Sequence, residues 1–80
     1  MRVAVLEDDV IQQKTLGEVL AKAQIEAKIY GTGKDFSFAM RRESFDAMVL
    51  DWTVPDTTGI ELLKSLREGG TRVPVLFATV

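Results

Sequence analysis

Short apolar runs alternate with longer amphipathic segments along the whole of this 80-residue chain, and this alternation limits the folds available to it. The runs have the length of strands, and the segments between them show the three- and four-residue apolar spacing of helices. The predicted strands are residues 2–6, 26–30, 45–50 and 73–78. The predicted helices are residues 10–23, residues 34–42 and a third that starts after Thr58 and ends at Gly69. Such alternation predicts a parallel sheet with right-handed crossovers.

The connection after the third strand carries strong local signals. Residues 53–57 are predicted to form a loop, in which Pro55 prevents the strand from continuing. Thr58 and Glu61 have the spacing of a capping box at the start of the third helix. The apolar residues predicted to pack inward from that helix are Ile60, Leu62, Leu63 and Leu66. Residues 31–34, Gly-Thr-Gly-Lys, lack the spacer and the following hydroxyl residue of a phosphate loop, so a turn and a helix start are predicted there.

Composition excludes several kinds of site. The chain has no cysteine, so disulfides and thiolate metal sites are impossible, and it has no histidine, which removes the usual zinc ligand. The net charge of −2 gives no electrostatic reason to expect nucleic acid or an anionic membrane as a partner. No apolar run approaches the length of a membrane span, and the N-terminus lacks a secretory pattern. One small domain in the cytoplasm is the expectation.

Carboxylates follow two of the apolar runs directly. Glu7 and Asp8 come after the first run, and Asp51 comes after the third. If both runs are parallel strands of one sheet, their carboxyl ends lie at the same edge, where open α/β sheets bind ligands. Acids held together repel one another, and oxygen-only ligands favour a hard cation, so this edge is predicted to bind Mg²⁺. Asp9 is more simply explained as a cap of the first helix.

Three motifs together resemble one family. They are Val-Leu-Glu-Asp-Asp, Leu-Asp-Trp-Thr-Val-Pro-Asp-Thr-Thr-Gly and Val-Pro-Val-Leu-Phe-Ala-Thr, each at the end of a predicted strand. In this order and at these separations the chain resembles the receiver domain of two-component response regulators, of the chemotaxis-receiver type. The resemblance implies a flavodoxin-like doubly wound sheet with strand order 2-1-3-4. It also implies that residues 1–80 are a single receiver domain lacking the helix, strand and helix that end the usual five-stranded domain.

The resemblance implies a role for each matching residue. Asp51 would be the phosphoacceptor. Asp8 would ligate Mg²⁺ directly, Glu7 would assist through a bound water, and the backbone carbonyl of Thr53 would be a further ligand. Thr79 would hydrogen-bond the phosphoryl group and move on phosphorylation. An aspartate is a sufficient nucleophile for this transfer, and it forms an acyl phosphate.

The resemblance also implies partners. A sensor histidine kinase or phosphotransfer protein would donate the phosphoryl group, and the domain would act as a conformational switch rather than a turnover enzyme. Nucleic acid would be contacted only by an output domain that these residues do not include. The lysine that the family carries on its fifth strand has no counterpart here, and the first helix is expected to expose apolar surface. The edge of the fourth strand, residues 73–78, is expected to pair with another copy or with a complementing chain.

Two other classes of function remain open at this level. A phosphohydrolase of the haloacid-dehalogenase type also uses an aspartate nucleophile and Mg²⁺. That family usually has a second aspartate two residues on, where this chain has Thr53, and it usually places the nucleophile after the first strand. The other class is an interaction module that keeps the fold and no longer accepts phosphate.

Overall fold

The computed structural model describes residues 1–78. Its strands are β1 Arg2–Leu6, β2 Glu26–Tyr30, β3 Ala47–Asp51, β4 Thr53–Val54, β5 Thr57–Thr58 and β6 Val75–Ala78. Its helices are α1 Val10–Lys22, α2 Gly33–Arg42 and α3 Gly59–Glu68. The predicted alternation of strands and helices is confirmed, and the bounds of β3 and β6 differ most from the prediction.

Four strands form one parallel sheet in the order β2-β1-β3-β6. Counted without the short strands β4 and β5, this is the predicted order 2-1-3-4. Every residue of β1 from Val3 to Leu6 is buried, because both faces of a central parallel strand are covered by helices. The edge strand β2 leaves Glu26 and Lys28 exposed, as its alternating sequence predicts.

The main core lies between the sheet and helices α2 and α3. The residues buried in it are Ala4, Leu6, Phe36, Ala39, Met40, Phe45, Met48, Leu50, Val54, Leu62 and Leu66. Phe36, Ala39 and Met40 have the three- and four-residue spacing of one helical face, and they point inward from α2. Full burial of a large side chain such as Phe36 stabilises the fold by about 1.5–3 kcal/mol. This core holds β1 and β3 side by side, which is the arrangement that positions the acidic residues.

Helix α1 lies on the opposite face of the sheet and is covered much less. Gly17 faces Ile29 of β2, and Ile29 points away from its neighbour Tyr30, whose ring meets Phe36 in the main core. No residue of α1 is buried, and Val10 and Ile11 are among its exposed side chains. The expected exposure of apolar surface on this helix is confirmed. Within residues 1–78, none of the helices has the length and apolar character needed to cross a bilayer.

The connection after β3 differs from the prediction. It is an antiparallel hairpin rather than a loop, because Thr53 pairs with Thr58 and Val54 pairs with Thr57. Val54 is buried in the core, which holds the first arm of the hairpin against the domain. Pro55 and Asp56 form the turn, so the strand does end where the proline predicts.

Helix α3 begins after the predicted cap residue, Thr58, but one residue predicted to pack inward from it faces solvent. The Thr58 hydroxyl accepts a hydrogen bond from Glu61 N–H at 3.2 Å. In the described part of the chain no bond returns from the Glu61 side chain to Thr58, so only half of the capping box forms. The prediction that Ile60 packs inward is wrong, since it is 48% exposed. Leu62 and Leu66, four residues apart on one helical face, fill the core instead.

Candidate functional site

Three carboxylates meet at the carboxyl edge of the sheet. β1 and β3 are adjacent and in register, with Leu6 opposite Leu50, so the residues that follow them emerge side by side. One carboxylate oxygen from each of Glu7, Asp8 and Asp51 lies within 4.8 Å of the other two. The predicted convergence of these acids is confirmed, although their sequence separation exceeds forty residues.

Glu7 is the buried member of this cluster. It is 2% exposed, whereas Asp51 is half-buried and Asp8 is exposed. Burial raises the pKa of the Glu7 carboxyl, and the neighbouring Asp51 and Asp8 charges raise it further. The Asp9 backbone N–H, which donates to Glu7 Oε2 at 3.0 Å, opposes that rise in pKa. A bound cation would favour the charged form of Glu7, so the site is electrostatically suited to one.

Hydrogen bonds with α1 hold the acidic segment after β1, residues 7–9, in place. The side-chain amide of Gln13 donates a hydrogen bond to the Glu7 backbone carbonyl at 2.7 Å. Asp9 Oδ1 accepts from the backbone N–H groups of Ile11 and Gln12, at 2.8 and 3.2 Å, and caps the helix. Asp9 is therefore a helix cap, as predicted, and its carboxylate is directed to the helix rather than to the three-acid cluster. The role of Gln13 could not be predicted from the sequence, because its amide reaches the backbone and no residue pattern marks such a contact.

Asp51 ends β3, and its side chain is oriented by the next residue. Asp51 Oδ1 accepts a hydrogen bond from Trp52 N–H at 2.8 Å. The Trp52 ring stacks on Phe77 of β6 with 4.4 Å between centroids and an interplanar angle of 14°. The Trp52 carbonyl in turn accepts from Gly59 N–H at 2.9 Å. The start of α3, the strand β6 and the acidic site are thus joined through Trp52.

Gly59 allows the backbone to approach the site this closely. A Cβ atom at this position would collide with the Asp51 carbonyl oxygen and would lie 2.8 Å from Phe77 Cε1. The sequence predicts a helix start at Gly59, but it carries no signal for this contact.

Asp56 is a third residue, after Gln13 and Gly59, whose role could not be predicted from the sequence. Its two carboxylate oxygens accept hydrogen bonds from the backbone N–H groups of Gly33 and Lys34, at 2.8 and 3.0 Å. The Gly33 hydrogen bond has the largest effect and lowers the pKa of Asp56, burial opposes it, and the Lys34 hydrogen bond lowers the pKa further. These N–H groups begin α2, so residues 31–34 form a turn and helix start as predicted, and a protein carboxylate takes the place a phosphate would need.

Two predicted site residues are placed less directly. Thr53 lies two residues beyond Asp51, in β4, and its residue is exposed. Thr79 lies outside the described residues. Its neighbour Ala78 is opposite Asp51 in the β3–β6 register. The roles predicted for Thr53 and Thr79 stay predictions.

An open parallel sheet with a cluster of acidic residues at the ends of β1 and β3 is typical of the doubly wound α/β proteins, which bind ligands where the winding reverses. The sequence model of the response regulator receiver domain matches residues 3–80. The chain belongs to this family, its fold is flavodoxin-like, and its function class is signal transduction by two-component systems. The comparisons give no support to the haloacid-dehalogenase interpretation.

The chain is similar to transcriptional regulators over almost its whole length. It is 32% identical to the transcriptional regulatory protein QseB of Escherichia coli O157:H7, over 99% of this chain and 36% of QseB. It is 30% identical to the transcriptional regulatory protein PcoR of Escherichia coli, over 98% of this chain and 34% of PcoR. The chain therefore spans about a third of the length of these relatives.

A solved receiver domain has the same fold. The receiver domain of the Francisella response regulator 1452 superposes with a TM-score of 0.92 and 29% sequence identity. The match covers 95% of this chain and 63% of that structure.

Proposed function

We propose that Asp51 accepts a phosphoryl group from a sensor histidine kinase or phosphotransfer protein. The observation that carries this proposal is the meeting of Glu7, Asp8 and Asp51 within 4.8 Å at the carboxyl edge of the sheet. Charges near a core are rarely left without a partner. If this cluster had only a structural role, a cationic side chain of the protein would have to pair with it. Among residues 1–78, the salt bridges are those of Arg2 with Glu26 and Glu43, and neither reaches the cluster.

The residues present fit Mg²⁺. Glu7, Asp8 and Asp51 offer carboxylate oxygens, and we assign the backbone carbonyl of Thr53 as a further ligand on the strength of its position two residues after Asp51. Magnesium is typically bound through one or two carboxylates, with water and phosphate oxygens completing its octahedron. When bound, the ion would neutralise charge on the phosphoryl oxygens. Asp8, which is exposed, is suited to direct ligation, and the buried Glu7 is suited to assist through water.

The protein's own part in the transfer is to present a nucleophile. The hydrogen bond from Trp52 N–H orients the Asp51 carboxylate. A lone pair of a carboxylate oxygen forms the new O–P bond, and the P–N bond of the donor phosphohistidine breaks in line with it. The electron pair leaves on the imidazole nitrogen, and the product on Asp51 is an acyl phosphate. No base on this chain is required, because a carboxylate has no proton to lose.

The proposed switch begins at Thr79, which follows the residue opposite Asp51 in register. A hydrogen bond from its hydroxyl to the new phosphoryl group would draw the end of β6 toward β3. Phe77 lies in the same strand and stacks on Trp52, so this movement would change the environment of the tryptophan. We propose that residues 1–80 form one receiver domain, which acts in the cytoplasm through this movement of β6. Any contact with nucleic acid would be made by an output domain.

Phosphorylation by acetyl phosphate with Mg²⁺, followed by intact-protein mass spectrometry, tests the assignment. We expect a single phosphoryl adduct on the parent chain and none on Asp51→Asn. Asp35→Asn, which removes an exposed carboxylate from the first turn of α2, is the matched control and should be phosphorylated like the parent. An adduct on Asp51→Asn, equal to that of the parent, would show that another residue accepts the phosphoryl group.

A further inference from the structure

Phe38 is a large aromatic residue that folding leaves on the outside of α2. The inner face of this helix is already formed by Phe36, Ala39 and Met40, all of them buried. Phe38 is 61% exposed and faces away from them. A single exposed apolar residue is ordinary, but an aromatic side chain within a groove is the usual anchor of a protein interface.

Two grooves border Phe38. The larger, which we call the α2 groove, has a volume of about 610 Å³ and is lined by Lys34, Asp35, Phe38, Arg41 and Arg42. The smaller has a volume of about 460 Å³ and is lined by Tyr30, Asp35, Phe38, Ala39, Arg42 and Glu43. Phe38 therefore lines both grooves, and the α2 groove is the one in which cationic side chains predominate.

The charge of the α2 groove differs in sign from that of the chain. Three cations and one carboxylate line it, whereas the whole chain has a net charge of −2. In the part of the chain that the structure describes, Lys34, Arg41 and Arg42 form no salt bridge. The Arg42 guanidinium lies 4.9 Å from the centroid of the Phe38 ring, so aromatic and cationic surface are contiguous.

We propose that the α2 groove binds a protein segment that presents one aromatic side chain flanked by carboxylates. The aromatic ring would pack on Phe38 and on the apolar stems of the basic residues, and the carboxylates would pair with Arg41 and Lys34. Arginine and aromatic residues are enriched at the centres of such interfaces. All residues that line the α2 groove lie on α2, and none of them belongs to the three-acid cluster. The proposal therefore does not depend on phosphorylation of Asp51.

The charge pattern favours an acidic protein segment over a nucleic acid. Phosphate recognition by a nucleic-acid binder requires an extended basic surface, because affinity grows with the number of phosphates neutralised. The cations here are three residues on one helix, with Asp35 among them and Glu43 beside the adjoining groove. A short segment with a few carboxylates matches that extent.

Fluorescence anisotropy with a labelled peptide that has one phenylalanine between short runs of glutamate tests the proposal. We expect the chain to bind it with an affinity that falls as salt rises. Phe38→Ser should weaken binding at least about tenfold, and the double variant Arg41→Glu, Arg42→Glu should weaken it by a similar factor. Lys64→Glu, which reverses an exposed charge on α3, is the matched control and should bind like the parent.

Peptide controls and mapping complete the design. A peptide with serine in place of phenylalanine should bind more weakly than the original, and amide shifts in an NMR titration of the parent chain should centre on α2. Equal binding of the serine peptide, or shifts elsewhere, would overturn the proposal. So would tighter binding of an oligonucleotide at the same residues, or self-association of the parent chain that Phe38→Ser abolishes. Because the NMR titration uses the parent chain, it decides the matter even if a variant folds poorly.

Discussion

At the scale of single residues, Glu7 links the stability of the fold to the site. The chain buries this carboxylate almost completely, beside Asp8 and Asp51, and the consequence is a raised pKa. A buried group with a raised pKa stabilises the folded state while it is protonated and destabilises it once it ionises. Ionisation of Glu7 at neutral pH therefore lowers the stability of the fold, and a cation bound beside it would restore that stability.

Glu7→Gln should be more stable than the parent at neutral pH in the absence of metal. The parent's disadvantage should be small below the ordinary pKa of a glutamate, about 4.3. It should grow as pH rises through the higher pKa of Glu7 in the folded chain, because the unfolded chain then releases the proton more readily. Urea denaturation of both chains across this pH range, with and without Mg²⁺, measures the difference. We expect added Mg²⁺ to stabilise the parent more than the variant, and an equal effect on both would contradict the role of Glu7.

Gly59 is the residue at which steric space is most restricted near the site. Gly59→Ala should destabilise the chain by about 1–3 kcal/mol, the usual effect of forcing an extra carbon into a packed region. The new methyl group would displace the Asp51 carbonyl or the Phe77 ring, so the tryptophan fluorescence of Trp52 should also change. Gly69→Ala is the control, since a Cβ there meets only the carbonyls of Leu66 and Ser65 at 3.5 Å. Equal stability of the two variants would be inconsistent with the described packing.

At the scale of elements, the hairpin of β4 and β5 connects the site to α2. The turn of this hairpin carries Asp56, whose carboxylate caps α2 by accepting from two of its first N–H groups. Val54 fixes one arm of the hairpin in the core, and Thr58 at the end of the other arm caps α3. A segment that begins directly after Asp51 therefore sets the start of two helices, and a change at Asp51 has a physical route to both.

Asp56→Asn should lower the stability of the parent at neutral pH, because the amide offers one acceptor oxygen and no charge to two N–H groups. Since the pKa of Asp56 is lowered in the folded chain, its contribution is present above the ordinary value of about 3.9. That contribution should be lost as pH falls through the lower value in the folded chain. Thermal unfolding of parent and variant from neutral to acid pH measures this. Asp35→Asn, in the first turn of the helix that Asp56 caps, should show a smaller change. A constant difference between parent and Asp56→Asn at every pH would count against the capping role.

At the scale of the whole molecule, the two faces of the sheet are covered very unequally. The face under α2 and α3 has a continuous core, whereas α1 on the other face buries none of its residues. Within the described residues, β6 is an edge strand, and its Leu76 is 67% exposed. An apolar strand edge of this kind offers unpaired backbone groups to another chain. We therefore propose that the edge of β6 pairs with a second copy or a complementing chain.

Leu76→Lys should reduce self-association, because a charge on an edge strand opposes pairing with another strand. Light scattering on a size-exclusion column, over a range of concentrations, compares the mass of the variant with that of the parent. Ile60→Lys is the matched control, since Ile60 is also an exposed apolar residue but belongs to α3 and not to the edge strand. A parent chain that stays monomeric at high concentration would contradict the proposal.

The sequence by itself determined which helices form, which strands make up the four-stranded sheet, and in what order they follow one another. Apolar periodicity, the capping residues Asp9 and Thr58 and the turn at Gly31 act over a few neighbouring residues, so they can be interpreted without the fold. The meeting of Glu7 and Asp51 was also predictable, since parallel strands present their carboxyl ends at one edge.

Only the tertiary structure decided the contacts between distant segments. Asp56 caps a helix that begins more than twenty residues earlier, Gly59 contacts Phe77, and Ile60 faces solvent because Leu62 and Leu66 fill the core. Each of these depends on how the helices settle on the sheet, and that settling is decided by packing across the whole core rather than by the residues nearby.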